Sequence, residues 1–165
     1  MKVLVLALLS LFVYDAPSTE IHEMRTLFPL IHHHETAVEK LKGIAGTRQH
    51  SAVHNAYAAA AEMASAQFKF NPLTKLSVFQ SGKHKLEECI ARNPLQPELR
   101  YIRFVIQSRV PAFLGYSSNL NQDKQFLLSQ LNQLRQHDLH LYEQVAAFLL
   151  SSGNLSPKEK TLIPA

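Results

Sequence analysis

The sequence has no tryptophan, one cysteine and only five glycines among its 165 residues. Because Cys89 stands alone, no disulfide can form within the chain, and packing has to hold the fold together. Five glycines and eight prolines are few for an all-β protein with many tight turns. With 46% hydrophobic and 18% charged residues, the composition also argues against disorder. We therefore expect a compact protein without disulfides.

Sequence motifs typical of catalysis are also missing. There is no GxSxG, no phosphate-binding glycine loop, no CxxC and no HExxH. Glu87 and Glu88 are adjacent, and adjacent residues of a helix do not face each other, so they form no acid–base pair. No nucleic-acid-binding motif is present, and a net charge of +4 is compatible with an anionic partner such as a membrane surface. These absences favour a non-enzymatic protein that uses no cofactor and binds no nucleic acid.

Residues 1–18 have the pattern of a secretory signal peptide. Lys2 precedes the apolar run Val3–Tyr14, which is shorter than the about 20 residues that a transmembrane helix needs. Ala16 and Ser18 give the small-x-small pattern of a cleavage site. We predict cleavage near Ser18, a periplasmic or secreted protein, one domain over residues 19–165 and no transmembrane segment in that domain. The alternative is a cytosolic protein in which residues 1–18 form a buried helix.

The rest of the chain has the apolar periodicity of helices. The stripe is clearest over residues 141–149, and no stretch alternates long enough to indicate a strand. Asn71-Pro72 should end one helix, and Gly82 marks a point where the next can kink or break. Because the loops are short, neighbouring helices should be antiparallel. The sequence predicts an all-α, single-domain bundle of about six antiparallel helices.

Two segments resemble known groups of helical proteins. LEECIARNPLQPELRY (Leu86–Tyr101) resembles the end of one tetratricopeptide repeat and the start of the next. This resemblance implies a tetratricopeptide-like helical hairpin within Ser51–Tyr101. PELRYIRFVIQSRVPAFLGYSSNLNQDKQFL (Pro97–Leu128) resembles a group of small, exported, uncharacterised helical proteins of Gram-negative bacteria. That resemblance implies export and a helical fold, and it implies no activity.

Histidines form three groups that raise a metal hypothesis. Two of the groups place imidazoles at i, i+3 or i, i+4, which brings both rings to one face of a helix where they can share a metal. The candidate ligands are His32, His33 and His34 (beside Glu35), His50 and His54, and His137 and His140. A metal- or haem-binding protein, possibly an enzyme, is therefore one hypothesis. The alternative is that these histidines lie on the surface or between helices without a shared ligand.

Polar residues of one helix form a candidate binding stripe. Arg100, Arg103 and Gln107 recur at helical spacing opposite the apolar face of their helix. Two guanidinium groups at i, i+3 can grip a carboxylate or a phosphate. The alternatives are a solvated helix face, or arginines that pair with Glu98 or Asp123 of the same chain.

The loop after this helix contains a second candidate. Phe113 and Tyr116 flank Gly115 between two helices, where aromatic side chains can line a groove. The alternative is that Phe113 and Leu114 pin the loop to the core. Together with the arginine stripe, this loop predicts an exported, non-enzymatic binding module for a protein or a small anionic ligand.

Overall fold

The computed structural model describes residues 19–48 and 51–163, so the predicted signal peptide and His50 lie outside the described residues. Within these ranges the protein is all-helical, as predicted, and no helix is long and apolar enough to cross a membrane. Eight α-helices are present instead of about six, because short helices form at both ends and only Asp138 separates α6 from α7. The helices are α1 (Thr19–Leu27), α2 (Glu35–Ala45), α3 (Ala52–Ser65), α4 (Pro72–Arg92), α5 (Pro97–Arg109), α6 (Leu120–His137), α7 (Leu139–Ser151) and α8 (Pro157–Lys160).

Several helix ends follow directly from the local sequence. The Asn71 side chain accepts hydrogen bonds from the backbone N–H groups of Leu73 and Thr74 and so caps α4, which begins with Pro72. At α8, Ser156 and Glu159 form a reciprocal capping box. The start of α4 thus coincides with the boundary that Asn71-Pro72 predicts, and α8 begins with the same combination of a polar cap and a proline.

Gly82 lies at a close contact between α3 and α4. α4 runs through Gly82 as one helix, so the break that Gly82 would permit is absent. A Cβ atom at Gly82 would lie 2.7 Å from the backbone oxygen of Ala59 and 2.9 Å from the backbone nitrogen of Met63. α3 and α4 therefore pack backbone to backbone as an antiparallel pair, and the small residues of α3 allow it. The glycine is present because α3 leaves no room for a side chain there.

α5 is the central helix. α3, α4, α6 and α7 all pack against it, and nearly every residue from Glu98 to Gln107 is buried. Phe104 packs edge to face on Phe148 of α7 with ring centroids 5.7 Å apart. A helix that is covered on all sides has to bury its polar residues along with its apolar ones. This constraint decides where the charged residues of α5 lie.

Gly82→Ala tests the α3–α4 contact. We expect the substitution to lower the free energy of unfolding by about 1–3 kcal/mol, because backbone atoms of α3 have to move. Gly43→Ala on α2 is the matched control, since no atom lies within 4 Å of its Cβ position. There the same change should raise stability by about 0.5–1 kcal/mol. Urea unfolding measures both, and equal effects would contradict the close contact.

Candidate functional site

The predicted arginine stripe is part of a buried ion-pair network, which we call the Arg103 cluster (Glu87, Arg100, Arg103, Tyr116 and Asp123). Arg103 donates two hydrogen bonds to Asp123, at 2.6 and 2.7 Å, and one to Glu87 at 2.6 Å. Arg100 donates to the same carboxylate of Asp123 at 2.8 Å. The Tyr116 hydroxyl donates to Glu87 at 2.5 Å. One of the sequence alternatives, an arginine paired with Asp123, is therefore what the structure contains.

The centre of this cluster is buried, contrary to the expected position opposite the core, and Glu87 at its edge is partly exposed. Asp123 is 0% exposed and Arg103 is 3% exposed. Burial by itself lowers the pKa of Arg103, but the hydrogen bonds and charge of Asp123 raise it above its ordinary value. Burial and the hydrogen bond to Glu87 also raise the pKa of Tyr116. The guanidinium of Arg103 is thus occupied by carboxylates of its own chain.

Gln107 and Phe113, two residues of the predicted binding set, differ in their exposure to solvent. Gln107 is buried, its amide nitrogen lies 3.5 Å from the side-chain oxygen of Asn119, and its own oxygen has no hydrogen-bond partner in the described part of the chain. Phe113 is 85% exposed, so it does not pin its loop to the core. Gly115 adopts a φ of 59°, which lets the chain turn from the short 3₁₀ turn at residues 112–114 toward α6. Of the five residues in the predicted binding set, Phe113 is the one fully presented to solvent.

A second buried cluster was missed by the sequence analysis. In this Arg25 cluster (Arg25, Tyr57, Glu98 and Asp138), Arg25 donates two hydrogen bonds to Glu98 and two to Asp138, at 2.7–3.0 Å. Tyr57 donates to Glu98 at 2.8 Å, and burial together with the charge of Glu98 raises the pKa of Tyr57. The partners of Arg25 lie 73 and 113 residues further along the chain. No local pattern can indicate pairs at such separations.

The candidate histidine ligands are spread over separate places. In residues 19–48 and 51–163, no group of three or more His, Cys, Asp or Glu side chains is arranged to hold a metal ion. His54 is buried with its Nδ1 atom 2.9 Å from the Ser51 hydroxyl. His140 stacks on His22 at 4.1 Å, while His33 and His34 are exposed neighbours with ring centroids 6.5 Å apart.

A small cleft between α3 and α4 holds the single cysteine. Its volume is about 220 Å³, and Cys89 lies among charged side chains. Glu62 accepts from Lys85 at 2.6 Å, and Glu88 pairs with Arg92, so these charges neutralise each other. Burial raises the pKa of the Cys89 thiol, which keeps it protonated and weakly nucleophilic. This cleft is therefore a poor candidate for a ligand site.

A larger groove of about 660 Å³ lies where α3 ends, α4 begins and α5 gives way to the loop that holds Phe113. Met63, Ala66 and Phe79 are buried in its floor, and Leu76 and Phe113 stand at its exposed edges. The volume falls within the range of about 300–1,000 Å³ typical of small-molecule sites. Its lining residues carry no carboxylate, thiol, hydroxyl or imidazole group, and most of the surface that it offers is apolar.

Two cationic side chains border the groove. The Arg109 guanidinium lies 5.1 Å from the ring centre of Phe148 and forms no ion pair with a carboxylate of the described chain. Partial burial lowers its pKa, although an arginine stays protonated at neutral pH. Lys75 donates a hydrogen bond to the backbone oxygen of Gln67 at 3.3 Å. The groove therefore combines an apolar interior with positive charge at its border.

The positive charge of Arg109 helps to lower the pKa of His32. His32 is partly buried, and its Nε2 atom has no hydrogen-bond partner in the structure described here. Burial, followed by the charges of Arg109 and His33, lowers the pKa of His32 to about 4. His32 is thus neutral at physiological pH, and of these two side chains only Arg109 carries a positive charge. Arg109 is not among the predicted site residues, and the signal that could have found it is the acid-free stretch 99–122 around it.

Comparison with known proteins gives no relative. No protein-family model matches the chain, and no curated protein or solved structure is significantly similar to it. The arguments about function therefore rest on the geometry of the groove and on its charges.

Asp123→Asn tests whether the Arg103 cluster is structural. We expect the free energy of unfolding to fall by about 3–5 kcal/mol, because two arginines, Arg100 and Arg103, lose the buried carboxylate that they share and Glu87 alone remains to pair with Arg103. Glu88→Gln is the matched control, since it makes the same chemical change in an exposed pair with Arg92, and it should cost less than about 1 kcal/mol. Urea unfolding compares the two variants. Equal losses of the free energy of unfolding would show that a buried ion pair stabilises this fold no more than an exposed one.

Proposed function

We propose that the protein is an exported, non-enzymatic binding module that holds an amphipathic anion in the groove between α3, α4 and the 111–114 loop. The observation that carries this proposal is the apolar groove with Arg109 at its border and no described carboxylate paired with that guanidinium. The ligand class is a molecule with an aliphatic or aromatic body and one carboxylate or phosphate group.

The apolar lining supports binding of the body of such a ligand. Met63, Leu76 and Phe79 present aliphatic and aromatic surface that a ligand would cover. Transfer of apolar surface out of water contributes about 25 cal/mol for each Å² buried. Because the floor residues pack against the protein core, the groove is preformed and little ordering is needed on binding.

The cationic border supports recognition of the anionic group. A guanidinium binds a carboxylate or phosphate through two parallel hydrogen bonds, and Arg109 is partly withdrawn from water, where such bonds are stronger. Arg103, which the sequence offered for this role, already has both its carboxylate partners. We therefore assign the anion to Arg109, with Lys75 as a second positive charge of the same groove.

The proposal also includes export of the protein and a tetratricopeptide-like joint between its helices. The apolar run Val3–Tyr14 and the small residues up to Ser18 support a cleaved signal peptide and a periplasmic or secreted location. The α3–α4 hairpin and the entry into α5 at Pro97 support a tetratricopeptide-like joint within Ser51–Tyr101. The same features agree with the resemblance to small exported helical proteins.

Titration with decanoate and with decan-1-ol, its uncharged counterpart, tests the groove. We expect decanoate to bind with a stoichiometry of one. Arg109→Gln should weaken decanoate binding about tenfold and leave decan-1-ol unaffected, because the substitution removes only the charge-assisted pair. Isothermal titration calorimetry measures both affinities.

Arg135→Gln is the matched control for Arg109→Gln. Arg135 also lies in the last turn of its helix over an aromatic ring, that of Tyr142, but it does not border the groove. It should leave both affinities unchanged. Equal loss of decanoate binding in the two variants, or no binding to the unsubstituted protein, would overturn the proposal.

The mass of the recovered protein tests export. When the full-length gene is expressed in a Gram-negative host, we expect the periplasm or medium to contain a chain that has lost the residues up to about Ser18. Intact-protein mass spectrometry gives the cleavage position directly. An intact chain confined to the cytosol would contradict export and favour the buried N-terminal helix.

A further inference from the structure

Large apolar side chains stand in water beside the mouth of the groove. We call Phe70, Leu73, Leu76 and Phe113 the apolar rim; Phe70 is fully exposed, Leu73 is 78% exposed and Phe113 is 85% exposed. Leu76 and Phe113 line the groove, and Phe70 and Leu73 flank Pro72, which also lines it. A group of exposed apolar residues on one face marks a surface that binds something apolar.

The surroundings of the apolar rim are positively charged. No Asp or Glu occurs between Glu62 and Glu87, or between Glu98 and Asp123, and these two stretches supply most of the groove and its rim. Lys69, Lys75 and Arg109 lie in the same stretches, and none of them pairs with a carboxylate that the structure describes. The rim therefore combines apolar side chains with uncompensated positive charge.

We infer that the apolar rim docks onto a membrane surface that contains anionic phospholipid. Phe70, Leu73 and Phe113 would enter the boundary between headgroups and acyl chains, and Lys69 and Lys75 would contact the phosphates. Attachment of this kind needs both an apolar and an electrostatic contribution, and the rim supplies both. The inference goes beyond the proposed groove ligand and does not depend on it.

The charge of the rim argues for a lipid surface over a second copy of the chain. A symmetric dimer through the rim would bring Lys69, Lys75 and Arg109 close to the same residues of its partner, and like charges repel. Phe70 projects from the protein without lining a cavity, and a fluid lipid boundary accepts such a side chain without a complementary pocket. On a membrane, the mouth of the groove would face the lipid.

Vesicle flotation tests the inference with the purified protein as recovered from the host. We expect it to float with vesicles of about equal parts phosphatidylcholine and phosphatidylglycerol, to bind phosphatidylcholine alone far more weakly, and to be released by high salt. Phe70→Ser with Leu73→Ser should weaken binding about tenfold or more. Leu95→Ser with Leu139→Ser is the matched control, since both leucines are exposed elsewhere on the protein, and it should bind normally.

The charge contribution is tested separately. Lys69→Glu should weaken binding to the phosphatidylglycerol vesicles about threefold to tenfold, whereas Lys158→Glu, on the exposed surface of α8, should have less effect. Each variant is also titrated with decanoate, which Phe70→Ser with Leu73→Ser should bind with unchanged affinity.

The two titrations keep the two proposals distinguishable. Normal decanoate binding without vesicle binding overturns membrane docking alone, and vesicle binding without decanoate binding overturns the groove proposal alone. Docking is also overturned if neutral vesicles bind equally well, or if the leucine control loses binding to the same extent. A dimer in analytical ultracentrifugation that Phe70→Ser with Leu73→Ser dissolves would assign the rim to a second copy instead.

Discussion

The burial of α5 on all sides is the constraint on which the rest of this structure depends. A helix in that position cannot leave a charge unpaired, because an isolated buried charge is far more costly than a paired one. Glu98 and Arg103, both on α5, are therefore matched by Arg25 and Asp123 from other helices. The carboxylates of Glu98 and Asp123 lie in the first turns of α5 and α6, and Asp138 caps α7. The positive ends of those helix dipoles add to the arginines in stabilising them.

The same constraint decides where a ligand can bind. Glu98 and Arg103 of α5 are paired with side chains of α1, α4 and α6, so they are closed to outside partners. Only at its last turn does α5 emerge from the core, and there Arg109 reaches the surface beside the groove. The close α3–α4 contact is made at Gly82, in the middle of α4. The first turns of α4 lie outside this contact, project into solvent and form one edge of that groove. The proposed binding function thus lies at the boundary between the packed core and the projecting end of α4.

The groove and the apolar rim have the same two physical properties. Both combine apolar surface with positive charge that has no described carboxylate beside it. An amphipathic anion and an anionic lipid surface present the complementary combination, one as a single molecule and the other as an extended layer. In the two proposals together, the mouth of the groove faces the anionic lipid surface. The cost of that arrangement is a set of exposed aromatic and aliphatic side chains that a protein without such a partner would keep inside.

Much of this protein was determined by local sequence, and the rest by tertiary packing. The all-helical class and the caps at Asn71 and Ser156 follow from periodicity and turn chemistry, which act over a few residues. The sequence marked Gly82 only as a point where the helix can kink or break, because a glycine that admits a neighbouring backbone has the same local pattern as one that breaks a helix. The stripe of Arg100, Arg103 and Gln107 has the spacing of a solvent-facing surface, but packing by four helices buried most of it. The pairing of Arg25 with Glu98 and Asp138 was likewise beyond the sequence, because which charges meet inside a core depends on how distant helices come together.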